Sequence, residues 1–252
     1  MKRRRPLARQ ETEAHFAGPS GQGGLLLVAC GALARELVDI QRQLPDGVVE
    51  ITCLPASWHN YPEKIVPGVR RKVDAALRTG CNVAVVYGDC GTGGELDAYL
   101  EQVGVTRIPG PHCYEMFLGK PVFDDEMDNA LGTFFLTDYM VRHFERIVMQ
   151  GMGLRRHPQL RDMYFGNYTR VLYIAQTEDA ALRVRAEQAA QELGLAFECR
   201  LAGYGGFPGF CRRGPCQNAG NRQPTCFIGG RITGNSATGP QKHGSVNYII
   251  LA

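Results

Sequence analysis

The sequence has little of what marks a membrane protein or a nucleic-acid-binding protein. Its longest nearly apolar run, residues 24–34, is shorter than the roughly 18–20 residues that a helix needs to cross a bilayer. Lys and Arg together number 28 against 25 Asp and Glu, which leaves a net charge of +3 over 252 residues. So small an excess does not indicate a nucleic-acid partner. We therefore expect neither a membrane nor nucleic acid among the partners of this chain.

Common catalytic signatures are also missing. The chain contains no Gly-x-Ser-x-Gly, no His-Glu-x-x-His and no Cys-x-x-Cys, so a serine hydrolase, a zinc protease and a thioredoxin find no support. The nine cysteines are an odd number, and a chain of this length does not need disulfide bonds to be stable. Residues 27–30 fit a lipoprotein cleavage pattern, but the apolar stretch before them is too short for a signal peptide. We therefore expect a reducing compartment.

Apolar runs alternate with helical patterns through the middle of the chain. Strand-like runs occur at 25–29, 48–54, 82–87, 107–108, 171–175 and 196–201. Helical spacing occurs at 33–44, 62–79, 95–103, 131–165 and 179–193. Strands separated by helices predict βαβ units and a mostly parallel sheet. The predicted fold class is α/β, an open, mostly parallel sheet with helices on both faces in a Rossmann-like three-layer sandwich.

The composition changes at both ends of the chain. Residues 1–23 are polar, rich in Arg, Gly and Gln and without periodicity, and they predict a disordered leader. Residues 205–252 hold many Gly, Pro and Asn with almost no periodic apolar pattern, and they predict a disordered or aberrant tail. The cysteines of that tail match no standard zinc module. The α/β domain is therefore predicted at 24–204.

Four chemically reactive side chains, Cys30, His59, Cys90 and Cys113, follow four successive predicted strands. Ligands of open parallel sheets bind beyond the carboxyl ends of the strands, and neighbouring strands lie about 4.8 Å apart. These side chains can therefore reach one small centre. Three Cys and one His form a known tetrahedral zinc environment, and thiolates equally accept copper(I) or an iron–sulfur cluster. We predict a Zn²⁺ site here, with an Fe–S cluster as the alternative.

Simple packing is the alternative for each cysteine, since free Cys is often buried as a small hydrophobic residue. Cys53 inside a strand and Cys81 at the opposite strand end are predicted to be such packing residues. His112 is the reserve fourth ligand, because it directly precedes Cys113 and the two side chains would point apart in an extended chain. Glu36 lies further along the first predicted helix and is expected at the surface.

A glycine-rich loop at residues 88–94, Gly-Asp-Cys-Gly-Thr-Gly-Gly, joins the third predicted strand to its helix. Its backbone N–H groups can cradle an anion or place a thiolate at a helix N-terminus. Gly88, Asp89 and Gly91 are therefore candidate cofactor-binding residues. The loop matches neither the Walker A motif nor the dinucleotide fingerprint, and a plain tight turn explains its glycines equally well. The acidic run at 124–126 is interpreted as a solvated loop.

Several of these motifs occur together in one known family. They are Ala-Cys-Gly-Ala-Leu-Ala-Arg-Glu at 29–36, Leu-Pro-Ala-Ser-Trp-His-Asn-Tyr-Pro at 54–62, Tyr-Gly-Asp-Cys-Gly at 87–91, Cys113 with Phe-Leu-Gly at 117–119, and Gly-Thr-Phe-Phe-Leu-Thr at 132–137. Over roughly residues 25–204 the chain resembles the bacterial and archaeal family called domain of unknown function 1638. By this resemblance an acidic residue is expected where His112 stands, which favours His59 as the ligand.

The resemblance implies a cytoplasmic protein in a setting of corrinoid-dependent methyl transfer and one-carbon metabolism, without an established reaction. The first hypothesis is a methyltransferase or an accessory protein of methyl transfer. In it Zn²⁺ is held by Cys30, Cys90 and Cys113 and completed by His59 or an exchangeable thiol. Its partners would be a small-molecule substrate and a corrinoid protein or methyltransferase. The second hypothesis is a non-catalytic module that handles a metal or a corrinoid. The third is an iron–sulfur protein, which the lack of clustered Cys spacing disfavours.

Overall fold

A computed structural model describes residues 13–16, 24–129 and 132–213. One of its sheets has four strands in the order β1-β3-β2-β4. The strands are β1 (Ala14–Phe16), β2 (Leu25–Cys30), β3 (Val49–Leu54) and β4 (Asn82–Val86). The last three are parallel, and β1 pairs with β3 in the antiparallel direction. Because Cys30 lies opposite Leu54, β2 and β3 end at the same rim of the sheet.

A second sheet has three parallel strands in the order β5-β6-β7. They are β5 (Thr133–Thr137), β6 (Arg170–Ala175) and β7 (Ala196–Leu201). Every residue of β5 is buried and so are all but the first of β6, whereas β7 is largely exposed. Continuous apolar runs such as Phe-Phe-Leu in β5 are typical of strands covered on both faces.

Helices connect the strands and cover them. Helices α1 to α9 span Ala34–Gln41, Ile65–Arg78, Glu95–Val103, Cys113–Leu118, Lys120–Asn129, Asp138–Arg142, Leu160–Phe165, Ala180–Leu193 and Phe207–Arg213. Short 3₁₀ turns occur at Gly31–Leu33, Ala56–Asn60 and Pro62–Lys64, and a π-helical segment at Glu145–Gln150. Within the described ranges, no helix combines the length and the apolar character that crossing a membrane requires.

Two apolar clusters form the core. The first packs around the four-stranded sheet and extends to Phe135, Leu172 and Ile174 on one face of the second sheet. The second cluster takes the alternate residues of β5 and β6, among them Leu136 and Tyr173, and packs them against α8. Both faces of β5 and β6 are therefore covered, and the predicted α/β class with parallel strands flanked by helices is confirmed.

The structure corrects two predicted elements. Residues 131–165 were expected to be helical, but β5 lies within them, because two consecutive aromatic residues buried on opposite faces mimic helical spacing. The predicted strand at 107–108 is a single parallel bridge between Val85 and Arg107. The Arg107 side chain accounts for this short pairing, because its guanidinium donates hydrogen bonds to the carbonyl oxygens of Ile108 and Gly110.

The predicted ends of the domain also differ from the structure. Residues 14–16 of the expected disordered leader form β1 along β3. Beyond residue 204, α9 buries Phe207 and Cys211 completely or nearly so, which places them in the first core cluster. The expected tail is therefore wrong at 207–213, and its remainder from 214 to 252, like residues 1–12 and 17–23, lies outside the described residues.

Two other predictions about individual residues are wrong. The acidic run at 124–126 belongs to α5, and its Glu126 is buried. Glu126 accepts hydrogen bonds from Arg170 at 2.7 Å and from Arg200 at 2.5 Å, so its charge is compensated by the second sheet. Cys81 is exposed and not packed, whereas Cys53 is buried as predicted.

Candidate functional site

Two glycines allow the strand ends to approach one another. A Cβ atom at Gly31 would lie 2.8 Å from the carbonyl oxygen of Leu54, and one at Gly88 would lie 2.7 Å from that of Pro111. Both distances are shorter than a carbon and an oxygen tolerate, so the backbone contact itself requires glycine. These contacts hold the end of β2 against the end of β3, and the loop after β4 against the segment that begins α4.

Cys30 and His59 form a close pair at this rim. The Cys30 sulfur lies 3.8 Å from Nδ1 of His59 and accepts a hydrogen bond from the N–H of Ala32 at 3.4 Å. Nδ1 of His59 also donates to the carbonyl oxygen of Ala56 at 3.1 Å, and the imidazole stacks on Tyr87 with ring centroids 6.2 Å apart. Because Cys30 is only 3% exposed, its sulfur is shielded from bulk water.

The pair carries two opposite charges that stabilise each other. Burial opposes ionisation of Cys30, but the charge and hydrogen bond of His59 outweigh it and lower the pKa of the thiol. Burial by itself would lower the pKa of His59, yet Cys30 and then Cys90 raise it well above its ordinary value. Both shifts favour the thiolate–imidazolium form of the pair, the form in which cysteine is nucleophilic.

Cys90 lies on a strained turn after β4. Its φ of +48° makes it the one described non-glycine residue in the left-handed region, and such strain is found mainly at functional sites. The neighbouring Asp89 holds the turn together by accepting hydrogen bonds from the hydroxyl of Thr92 at 2.7 Å and the N–H of Gly94 at 2.8 Å. Burial opposes ionisation of Asp89, but these hydrogen bonds lower its pKa.

The loop residues predicted to bind a cofactor have structural roles in this turn. Gly88 makes the close contact described above, and Gly91 has a φ of +84° and lies against Pro62. Asp89 accepts hydrogen bonds from the N–H groups of the last two loop glycines, which are the donors that an anion would use. Cofactor binding by Gly88, Asp89 and Gly91 stays a prediction.

Cys113 and Tyr87 add neutral polar groups to the rim. Burial, followed by the charges of Cys90 and Cys30, raises the pKa of the Cys113 thiol well above its ordinary value. Burial and the same two cysteines also raise the pKa of Tyr87. The Tyr87 hydroxyl makes no hydrogen bond of normal geometry to a described residue. The Cys30 thiolate is therefore surrounded by groups that stay protonated at neutral pH.

Glu36 and His112 complete the surroundings of the thiols. The expectation that Glu36 lies at the surface is wrong, because it is 5% exposed and its Oε2 has no hydrogen-bond partner among the described residues. Burial raises the pKa of Glu36 to about 7, and Cys113 lies within reach of its charge. His112 is partly buried, and burial lowers the pKa of its imidazole. Glu36 and Tyr87 are the site residues that sequence reasoning missed.

The predicted zinc ligands can be compared with this geometry. Two ligands of one tetrahedral zinc, one sulfur and one nitrogen, lie about 3.6 Å apart, which is near the 3.8 Å between Cys30 and His59. In the part of the chain that the structure describes, however, no three His, Cys, Asp or Glu side chains are arranged to hold a metal ion. The Zn²⁺ and Fe–S assignments stay predictions.

The protein therefore has an α/β fold with the Cys30–His59 pair at the rim where β2 and β3 end, Cys90 in the loop after β4 and Cys113 at the start of α4. The chain belongs to the family described as Protein of unknown function (DUF1638), which matches residues 53–208 and confirms the resemblance seen in the motifs. The match includes His59, Cys90 and Cys113 and leaves Cys30 outside. Comparisons with curated proteins and with solved structures gave no match.

A glycine in α2 positions the turn that carries His59. A Cβ atom at Gly68 would lie 2.2 Å from the ring of Trp58, so Gly68→Ala is expected to displace that ring and to lower the free energy of unfolding by about 1–3 kcal/mol. Helix propensity alone predicts the opposite sign, a gain of about 1 kcal/mol. Denaturant unfolding measures the difference, and Trp58, the only tryptophan in the sequence, reports the displacement by its fluorescence. Arg78→Ala at an exposed position of the same helix is the control, and a Gly68→Ala variant of unchanged or higher stability would contradict the expected packing.

Proposed function

We propose that this chain is a thiolate protein of one-carbon metabolism in which Cys30 accepts a methyl group. The observation that supports this is the 3.8 Å approach of the Cys30 sulfur to Nδ1 of His59 in a site almost closed to water. A cysteine held as a thiolate is a strong nucleophile at neutral pH. The choice of a methyl donor rests on the resemblance to domain of unknown function 1638 and its corrinoid setting. A corrinoid protein or methyltransferase in the cytoplasm is the partner that this setting suggests.

The transfer needs no proton acceptor, because the sulfur is already ionised. A lone pair of the Cys30 sulfur forms the new S–C bond while the bond between the donor and the methyl carbon breaks. The electron pair of that bond stays on the donor, so a methylcobalt(III) corrinoid would leave as cobalt(I). Loss of the thiolate charge then removes the largest of the interactions that raise the pKa of His59, so the imidazolium releases its proton to water more readily.

A zinc-thiolate centre is the second candidate, and the electrostatic influence of Cys30 and Cys90 on the Cys113 thiol favours it. Zn²⁺ held by these cysteines and His59 would lower the pKa of a bound thiol or water. The same centre without turnover would make the chain a module that handles a metal or a corrinoid. An Fe–S cluster is the remaining alternative, which its visible absorption would reveal.

Methylcobalamin is the probe that tests the proposal. We expect the full chain under anaerobic conditions to convert it to cobalt(I) and to gain one methyl group on the peptide that contains Cys30. Cys30→Ser should abolish both changes, and Cys81→Ser, which removes an exposed thiol away from the rim, should preserve them. Corrinoid demethylation without methylated Cys30, or methylation of other cysteines instead, would contradict the proposed nucleophile.

Metal content separates the two candidates. If the zinc-thiolate centre forms, the purified chain contains one Zn²⁺, is colourless, and loses the metal in Cys90→Ser and Cys113→Ser but not in Cys81→Ser. If the cysteine acts alone, the chelated and dialysed protein keeps its full reactivity with methylcobalamin. Zinc without any reaction would support the handling module, and a coloured protein with iron and sulfide would support the Fe–S alternative.

A further inference from the structure

Strand β7 is an open edge of the second sheet. On one side it pairs with β6 over its whole length, and no described residue pairs with its other side. Its six-residue ladder has no bulge and no proline, and Leu201 is 54% exposed. In stable proteins an edge strand is normally interrupted by a bulge or a proline, or it is covered by another element. The strand β5 at the opposite edge is entirely buried, which makes the exposure of β7 unusual within the same sheet.

The backbone of β7 shows which residues face the open side. The N–H groups of Ala196 and Ala202, at either end of the strand, donate to Thr169 and Ala175 on the β6 side. Since backbone groups alternate along a strand, the even-numbered residues point toward β6. Phe197, Cys199 and Leu201 therefore present their N–H and C=O groups to solvent.

The sequence of β7 is complementary to itself in the antiparallel direction. With Cys199 opposite Cys199 of a second chain, Phe197 faces Leu201 and Glu198 faces Arg200, each pair occurring twice. Phe197, Cys199 and Leu201, whose backbone groups point to the open side, then meet in hydrogen-bonded pairs. The charged residues Glu198 and Arg200 meet in the closer non-hydrogen-bonded pairs. A shift by two residues in either direction would place Glu198 opposite Glu198 or Arg200 opposite Arg200. The side chains of both are about half exposed, and each keeps an intramolecular partner, Arg170 and Glu126 respectively.

We infer that β7 pairs with β7 of a second copy of this chain about a two-fold axis at Cys199. The two three-stranded sheets then form one six-stranded sheet, and the ion pairs of Glu198 and Arg200 continue across the interface. Such a pairing is isologous and closes on itself, so it yields a dimer and no fibre. On the α8 face, Cys199 and Leu201 line a cavity of about 380 Å³ next to the first turn of α8, and the second chain would cover that side.

Substitutions at Cys199 test the interface without disturbing the ladder to β6. Proline at this position removes an N–H group that points to the open side and fits an edge strand. Size-exclusion chromatography with light scattering should give the mass of two chains for the full-length protein and for Cys199→Ser. Cys199→Pro should give the mass of one chain, with an unchanged far-ultraviolet circular dichroism spectrum. A monomeric parent protein, which would mean that another segment or nothing covers this edge, or a dimer that Cys199→Pro leaves intact, would overturn the inference.

The register has its own test, which does not depend on the proline variant. In a hydrogen-bonded antiparallel pair the two Cα atoms lie about 5.5 Å apart, so a short bis-maleimide should join the two Cys199 sulfurs. We expect a covalent dimer that forms in the parent protein and in Cys81→Ser and is absent in Cys199→Ser. A cross-link that depends on Cys81, or none in a protein that is dimeric by mass, would overturn this register.

Discussion

Replacing His59 with asparagine is expected to raise the pKa of Cys30 and thereby to lower its thiolate fraction at neutral pH. In the folded protein burial opposes the ionised sulfur, and His59 provides the charge and hydrogen bond that outweigh this effect. Nearby opposite charges typically shift a pKa by about 1–3 units, so the midpoint of the Cys30 thiol titration should rise by about that much. The difference in ultraviolet thiolate absorbance between each protein and its Cys30→Ser counterpart, followed over pH, measures this directly.

The control for this prediction is His112→Asn. His112 lies at the same rim, but the charge of His59 and not that of His112 lowers the pKa of Cys30. His112→Asn should therefore leave the titration of the Cys30 thiol close to that of the parent protein. The account of the pair fails if His59→Asn and His112→Asn shift the titration equally, or if neither shifts it.

Glu36→Gln is expected to stabilise the protein at alkaline pH and to make little difference in acid. Burial raises the pKa of Glu36 to about 7. Between the ordinary pKa of a glutamate and this value, the folded protein therefore keeps a proton that the unfolded chain has lost. The stability contributed by the protonated group is complete below the ordinary pKa of a glutamate. It is lost as the pH rises through about 7. A shift of this size corresponds to about 3 kcal/mol, which is the advantage expected for the glutamine variant above that pH.

Urea unfolding on both sides of this window measures the effect. Glu187→Gln makes the same change at an exposed position of α8 and should not alter the pH dependence. If Glu36→Gln and the parent protein lose stability in parallel as the pH rises, Glu36 does not hold its proton in the folded state. The raised pKa of Glu36 would then be wrong.

Most residues of the candidate site could be predicted from the sequence because the ends of the strands are recognisable in it. Cys30, His59 and Cys90 follow strands that are recognisable from their apolar runs, and parallel strands of one sheet end at a common rim. Cys113 follows only the single bridge at Arg107, which runs beside β4. The register of β2 on β3 and the close contacts at Gly31 and Gly88 then bring these ends together. Such a prediction needs only the alternation of strands and helices.

Other features could not be predicted from the sequence because they depend on how the chain packs in three dimensions. Glu36 is polar and sits on an amphipathic helix, so nothing local reveals that the packing of α1 buries it. Strand β5 carries apolar residues on both faces, and its composition does not distinguish it from a buried helix. The positive φ of Cys90 likewise arises from the hydrogen bonds that Asp89 makes within the loop.

The most direct measurement for the central claim uses phenylarsine oxide, which binds two thiols only when their sulfur atoms are close together. Cys30 and Cys90 both act on the imidazole of His59, so the account predicts one arsenic per chain, seen by intact mass spectrometry under native conditions. That adduct should disappear in Cys30→Ser and in Cys90→Ser and remain in Cys81→Ser. An adduct that survives both rim substitutions, or a native protein that takes up no arsenic, would contradict a shared thiol centre at this rim.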